Sequence, residues 1–396
     1  MTQKLWKLVK IGDCCQVVSG STPRRNKPEY WNGFIDWVTP KDLSNLNSPV
    51  LKEAPERITE LGYKSCSTTL LPKGTVLFSS RAPIGLVAIA GKEMCTNQGF
   101  KSLVPSDNVN SSYLYWCMKH FTPYIASQGA GSTFKEVSKA IVSKFKIPLP
   151  PIEEQKRIAA ILDKADEVRR KRQEAIRLTE ELARSQFLHM FGDPVTNPKK
   201  WVRKRLGLYI SYSNNGLSRR RKISTNQGEV VLRIQDVKNN YIDYSKLNRI
   251  PLNDKDKTKY LLEKGDLLFI RVNGNKEYVG RCAVFDGFNE TVYHNDHIIR
   301  IKTSENISSR YLSFLFNDVF GKKILADKIK TSAGQYTISQ KGIESLEIPI
   351  PPIYLQDKFI SLFQVNDRLK AKHHKIQEDT EDLFNSLLQR AFKGEL

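Results

Sequence analysis

Apolar and polar positions follow two rhythms along this chain, and each rhythm occurs twice. Short apolar runs at Val76 to Phe78, Leu86 to Ile89 and His297 to Ile301 predict strands, and Ser112 to His120 and Ser309 to Asn317 predict helices with Tyr, Leu and Phe on one face. From Glu153 the sequence is charged and free of Gly and Pro until Gly192. Within it Ile161, Val168, Ala175 and Leu182 recur every seven residues, with Ile158 and Ala165 at companion positions. Leu362, Leu369, Ile376 and Leu383 repeat the rule near the other end, with Leu387 beyond them. Heptad spacing of this kind predicts two long coiled-coil helices whose seam is formed by these residues.

Each of the second four lies 201 residues beyond its counterpart, so the chain reads as a tandem duplication. Lys146-Ile147-Pro148-Leu149-Pro150-Pro151-Ile152 returns at the same offset as Glu347-Ile348-Pro349-Ile350-Pro351-Pro352-Ile353. Proline is tolerated at a helix entrance but not inside, so both segments read as extended arms feeding a long helix. Gly74-Thr75-Val76-Leu77-Phe78 recurs as Gly265-Asp266-Leu267-Leu268-Phe269, and Asp42 after Trp37-Val38-Thr39-Pro40 has a counterpart in Asp236. The expected organisation is a globular domain over 1–152, a helix over 153–193, a second domain over 194–352 and a C-terminal helix over 353–396. Gly192-Asp193-Pro194 and Asn197-Pro198 form the linker between repeats. The class is α+β, mixed within each domain.

Charge divides along the same boundaries. The chain carries 63 Lys and Arg against 42 Asp and Glu, a net +21. Residues 1–152 hold 19 basic and 10 acidic side chains and residues 194–352 hold 28 and 16, while both helical segments are neutral. Two basic domains suggest two nucleic-acid footprints, because Lys and Arg neutralise phosphates and release counterions. No apolar run approaches the ~18 residues that span a bilayer, and Met1-Thr2-Gln3-Lys4-Leu5-Trp6 lacks a signal-peptide pattern, so no membrane association and a cytoplasmic location are expected. Six cysteines never form C-x-x-C, which argues against a disulfide framework or structural zinc.

Catalytic signatures are missing from the sequence. It has no G-x-x-x-x-G-K-[ST] phosphate loop, no H-E-x-x-H, and no Asp/Asn-Pro-Pro-Tyr/Phe tetrapeptide of an adenine methyltransferase. Two acidic-x-Lys tripeptides, Glu154-Gln155-Lys156 and Asp236-Val237-Lys238, resemble nuclease fragments. The first lies in a helix's opening turn, where an acid suits the dipole, and repeat one lacks the lysine of the second. His373-His374 read as polar surface.

Loops with polar and basic residues beside glycine are the candidate base readers, since Arg pairs bidentately with guanine and Asn or Gln with adenine. In repeat one they hold Arg24, Arg25, Lys27, Ser80, Arg81, Asn97, Gln98, Ser132, Thr133 and Lys135. In repeat two they hold Arg219, Arg220, Arg221, Lys222, Arg271, Asn273, Asn275, Lys276, His294, Asn295, Gln335 and Tyr336. For any one of these an ordinary solvated loop is the competing reading. Corresponding loops differ in residues while helices and arms keep their register, so each domain is expected to read a different sequence. A helix of ~38 residues is ~57 Å long, enough to hold two readers a DNA turn of ~34 Å apart.

The alternation of basic domain and helix, with W-V-T-P-K-D-L at 37–43, F-S-S-R-A-P-I-G at 78–85, I-P-L-P-P-I-E-E-Q-K-R-I at 147–158 and the ending L-L-Q-R-A-F-K-G-E-L, resembles the specificity subunit of type I restriction-modification enzymes. The resemblance covers essentially the whole chain. It implies two target-recognition domains separated by two long antiparallel helices in a pseudo-twofold repeat, reading the halves of an asymmetric bipartite site in double-stranded DNA. It implies a non-catalytic subunit without a cofactor of its own. Two methylation subunits would use S-adenosylmethionine on adenine N6, and motor-nuclease restriction subunits would use ATP and Mg to cleave unmodified DNA, in a bacterial or archaeal cytoplasm. Repeat two has Arg271-Val272-Asn273-Gly274-Asn275 where repeat one has Arg81-Ala82-Pro83-Ile84-Gly85. Other readings are a partner-binding scaffold or inhibitor without DNA specificity, and a stand-alone nuclease or methyltransferase.

Overall fold

Gly74 and Gly265, at φ +88° and +98°, turn the chain into the strands Val76–Phe78 and Leu267–Ile270, which are buried throughout. In the computed structural model, which describes residues 6–44, 46–81, 83–129, 135–218, 227–332 and 334–396, each of these strands lies between two antiparallel neighbours. Contacts divide the chain into two units, Met1–Ile176 with Lys372–Leu396, and Arg177–Ala371. Both units combine sheets and helices, as expected of α+β.

In the first unit the strands run Cys15–Ser19, Lys101–Pro105, Val76–Phe78, Val87–Ala90 and Val50–Leu51 across one sheet. A smaller sheet places Trp31–Val38 between Glu56–Ile58 and Cys95–Thr96, the latter pair parallel. The helix Ser111–Ser127 starts at Asn110, whose side chain accepts from the Tyr113 N–H. Tyr113, Trp116 and Met118 on it join Phe78, Leu103, Ile158, Leu162, Phe384 and Phe392 in one core, so the long-helix segments of this unit are part of its interior.

The second unit repeats the plan. Its larger sheet orders Ile210–Asn215, Ile298–Thr303, Leu267–Ile270 and Cys282–Val284, and its smaller one places Glu229–Leu232 between Arg249–Ile250 and a parallel Val292–His294. Phe187 is fully buried, stacked 5.1 Å from Phe314 and edge-on 5.4 Å from Phe359.

Both proline arms are extended, as their sequence predicts: Lys146–Pro148 pairs with Leu8–Lys10, and Glu347–Pro349 with Arg203–Arg205. The long helices are Ile152–Phe191 and Ile353–Lys393. In the first unit Arg157 bonds the Leu396 carbonyl, Arg169 bonds Glu381 at 3.1 Å and Arg172 meets His373, so the helix segments there run antiparallel.

The seam differs from the heptad reading. Ile158 is buried, Ala165 and Leu387 pack against the core, and Ile161, Ala175 and Ile376 are half-buried, but Val168 is 41 % exposed and Leu383 60 %. In the second unit Leu182, Leu362 and Leu369 also face outward. The inward positions are Leu162, Ile176, Ala183 and Phe384, each one residue after a predicted one, with Phe359 on the second helix. Adjacent apolar pairs leave a seven-residue period undecided. Packing decides it, as where the Phe384 ring meets Trp116 edge-on at 5.5 Å.

Candidate nucleic-acid interface

Backbone hydrogen bonds stitch the predicted loops of the first unit into one strip. The Ser21 N–H donates to the Thr96 carbonyl at 3.0 Å, the Ser80 N–H to the Gly99 carbonyl at 2.7 Å, and the Val137 N–H to the Ser80 carbonyl at 2.9 Å. Gly20 makes the first crossing possible, because a Cβ there would overlap the Thr96 and Asn97 carbonyl oxygens. Thr22 donates to Gln98 across the same crossing. Arg24, Gln98 and Lys135 are exposed and Arg81 and Asn97 partly so.

Not every predicted reader is free. Ser80 is buried and its hydroxyl donates to the Gly99 carbonyl, so it holds loops together. Arg25 lies 4.1 Å over the Trp31 ring and pairs with Glu56, and Lys27 pairs with Glu29. Arg24, Arg81 and Lys135 form no ion pair among the described residues. Composition did not single out Lys101, a nearly buried cation that reaches Glu136 at 3.3 Å beside the strip.

The second unit reproduces the strip bond for bond. The Leu217 N–H donates to the His294 carbonyl at 2.8 Å, the Arg271 N–H to the His297 carbonyl at 2.8 Å and the Ile338 N–H to the Arg271 carbonyl at 2.9 Å. Gly216 crosses the His294 and Asn295 carbonyls as Gly20 crosses Thr96 and Asn97. A small sheet joins Val272–Asn273 to Gln335–Thr337 and Lys330–Ser332, with Asn273 opposite Tyr336. Lys276 and Gln335 are exposed; Asn273, Asn295 and Tyr336 are partly buried. Asn275 caps the turn Lys276–Tyr278 by accepting from the Glu277 N–H.

His294 is a correction. It is fully buried with Nδ1 3.2 Å from the Tyr260 carbonyl, and burial pushes its pKa down to about 4, so it is a structural group rather than a base reader. Its strand pairs parallel to Glu229–Leu232, a neighbour remote in sequence. The alignment of Arg81 with Arg271 also shifts: matched bonds place Arg271 at the position of Ser80, and Val272 at that of Arg81. Ser132, Thr133, Arg219, Arg220, Arg221 and Lys222 lie outside the described residues.

The acidic-x-Lys fragments have local structural roles. Asp236 is buried and caps the Arg233 N–H at 2.8 Å, as Asp42 caps the Thr39 N–H at 2.7 Å. Gln155 of the other is buried and bonds backbone. Among the described residues no cluster of three His, Cys, Asp or Glu is placed to hold a metal ion, and no helix is long and apolar enough to cross a membrane.

Comparison with known proteins extends this picture. The model of the type I restriction modification DNA specificity domain matches residues 3–179 and again 198–380. The chain is 33 % identical to the type I restriction enzyme MjaIX specificity subunit of Methanocaldococcus jannaschii, over 91 % of this chain and 86 % of the relative. It is 28 % identical to the StySPI specificity subunit of Salmonella potsdam, over 74 % and 67 % respectively. The crystal structure of a type I restriction-modification S subunit from M. genitalium shares the fold, with TM-score 0.58 at 15 % identity, covering 99 % of both chains. With the duplicated family domain and the duplicated strip on one chain, this protein belongs to the specificity-subunit family of type I restriction-modification enzymes, as a non-catalytic component.

Proposed function

We propose that each unit reads one half of an asymmetric bipartite site in double-stranded DNA, through its strip of stitched loops. The observation that carries this reading is the pair of strips: the same backbone bonds, with different side chains on each. A constant frame with variable exposed edges suits readout of two different sequences, because base-edge contacts specify while the frame only positions.

The long helices set the spacer and recruit two methylation subunits. Outward Val168 and Leu383 in the first unit, and Leu178, Leu182, Leu362, Val365 and Leu369 in the second, supply apolar surface for that docking. The partners bring S-adenosylmethionine for adenine N6 methylation. Motor-nuclease subunits bring ATP and Mg for cleavage of unmodified DNA, in a bacterial or archaeal cytoplasm.

Mapping methylated adenines in a host that carries this chain with its methylation subunits tests the reading. The expected result is one bipartite motif, of which exchange of residues 194–352 alters a single half. Methylation that ignores the exchange would favour a scaffold without DNA specificity.

A further inference from the structure

Phe34 is 75 % exposed, a large apolar ring at the edge of a basic unit. It sits on a bulge of the strand Trp31–Val38: Trp31 and Ile35 both face Ile58, so residues 32–34 are extruded between them. Asn32 adopts φ +62°, and Gly33 lies so close to Ile58 and Thr59 that a Cβ would overlap them. Two indoles pin the bulge to the loop at the strip's edge, since the Trp31 Nε1–H donates to the Arg24 carbonyl at 3.2 Å and the Trp37 Nε1–H to the Ser21 carbonyl at 3.0 Å.

The second unit supplies an internal control. Pairing register matches Ile35 with Glu229, which face Ile58 and Ile250, so the position of Phe34 is held there by Gly228, at φ +112°. The matching position carries no side chain, so the fold itself does not require an aromatic ring at Phe34. In the loop that the two indoles hold, Arg24, Arg25, Asn26, Lys27 and Glu29 are exposed, with Arg25 paired to Glu56 and Lys27 to Glu29. A single exposed ring on a bulge tied to the Arg24 loop matches a base contact better than the broad apolar patch of a protein partner.

We infer that Phe34 packs its ring against a base step of duplex DNA lying along the strip of the first unit. This rests on the DNA-reading function proposed above and adds a positioning and specificity residue to it. The ring displaces water from the step and fixes the register of the neighbouring loops, at one half-site only.

The test uses the full chain, wild type beside Phe34→Ala and Phe34→Trp, selecting from a pool of randomised duplexes at several salt concentrations. Phe34→Ala is expected to bind about tenfold more weakly. Its salt slope should be unchanged because no phosphate contact is lost, its preference blurred in one half-site and its thermal midpoint unaltered. Phe34→Trp should recover binding. Equal affinity and preference in wild type and Phe34→Ala overturn the inference, as does a Phe34→Ala variant that selects DNA normally but loses capture of the methylation subunits. A wild-type chain that selects no duplex overturns the parent reading instead, and the inference with it.

Discussion

The Gln155 side-chain oxygen accepts a 2.9 Å hydrogen bond from the Asn110 N–H, which ties the first turn of a long helix to the cap of a domain helix. Its amide donates to the Asn108 and Pro150 carbonyls. Gln356 repeats this 201 residues later, accepting from Ser308 and donating to Pro351. Truncation strands buried backbone groups, so Gln155→Ala should destabilise the first unit by about 1 to 3 kcal/mol. Urea unfolding measures this, and Gln155→Glu, which keeps the acceptor but loses the donor, should also be destabilised.

The seam register is testable by paired truncations. Phe187→Ala empties a fully buried ring site and should cost about 3 to 5 kcal/mol. Leu182→Ala, 49 % exposed, should change stability by no more than about 0.5 kcal/mol. The reverse order in denaturant midpoints would restore the original heptad assignment. Leu182→Ser should instead weaken capture of a methylation subunit in pull-down.

Gly20→Ala places a Cβ against the Thr96 and Asn97 carbonyls and should open the first strip. The expected readout is degeneration of one half of the methylated motif with the other intact. Gly216→Ala should do the same to the other half.

His294 predicts a pH dependence of the second unit. Its folded pKa, about 4, lies below the ordinary histidine value because burial, with the Arg300 guanidinium as a smaller contributor, disfavours the cation. The unfolded chain therefore binds the proton first, so stability is full above pH ~6.5 and falls as pH drops toward 4, by about 3 kcal/mol if the whole shift is expressed. Differential unfolding of wild type and His294→Gln between pH 7 and 5, above most carboxylate titration, should show a shallower slope for the variant.

Electrostatic contacts separate by salt. Arg24→Ala and Lys135→Ala each remove an exposed cation without an ionic partner among the described residues. Each should lower the slope of log affinity against log salt by about 0.9 if it meets a phosphate. An unchanged slope with altered base preference would make that residue a base reader.

The duplicated frame was legible because proline arms and heptads leave patterns that survive divergence of the loops. Loop clustering was legible in outline, as polar and basic residues beside glycine. The free and committed residues within those loops were not. Ser80 and His294 look like surface candidates, yet loop-to-loop hydrogen bonds to Gly99 and Val137 hold the first buried and a parallel strand remote in sequence covers the second. Nor did the motifs reveal that Arg81 and Arg271 stand one position apart, since matched bonds and not matched letters define the register. Phe34 carried no signal, because a bulge exists only once its partner strand is present.

Gly85 and Gly280, at φ +95° and +82°, close corresponding loops by donating to the Ser79 and Ile270 carbonyls, yet one loop runs over residues 80–84 and the other over 271–279. Each loop is clamped at its base, so lengthening it leaves the sheet untouched. Nearly doubling a loop adds only about 0.6 kcal/mol of closure entropy. Length can therefore vary in the exposed stretch 274–278 while Arg271, Val272 and Val279 stay tied to the strip and the core, so the two units keep one frame with edges of different reach.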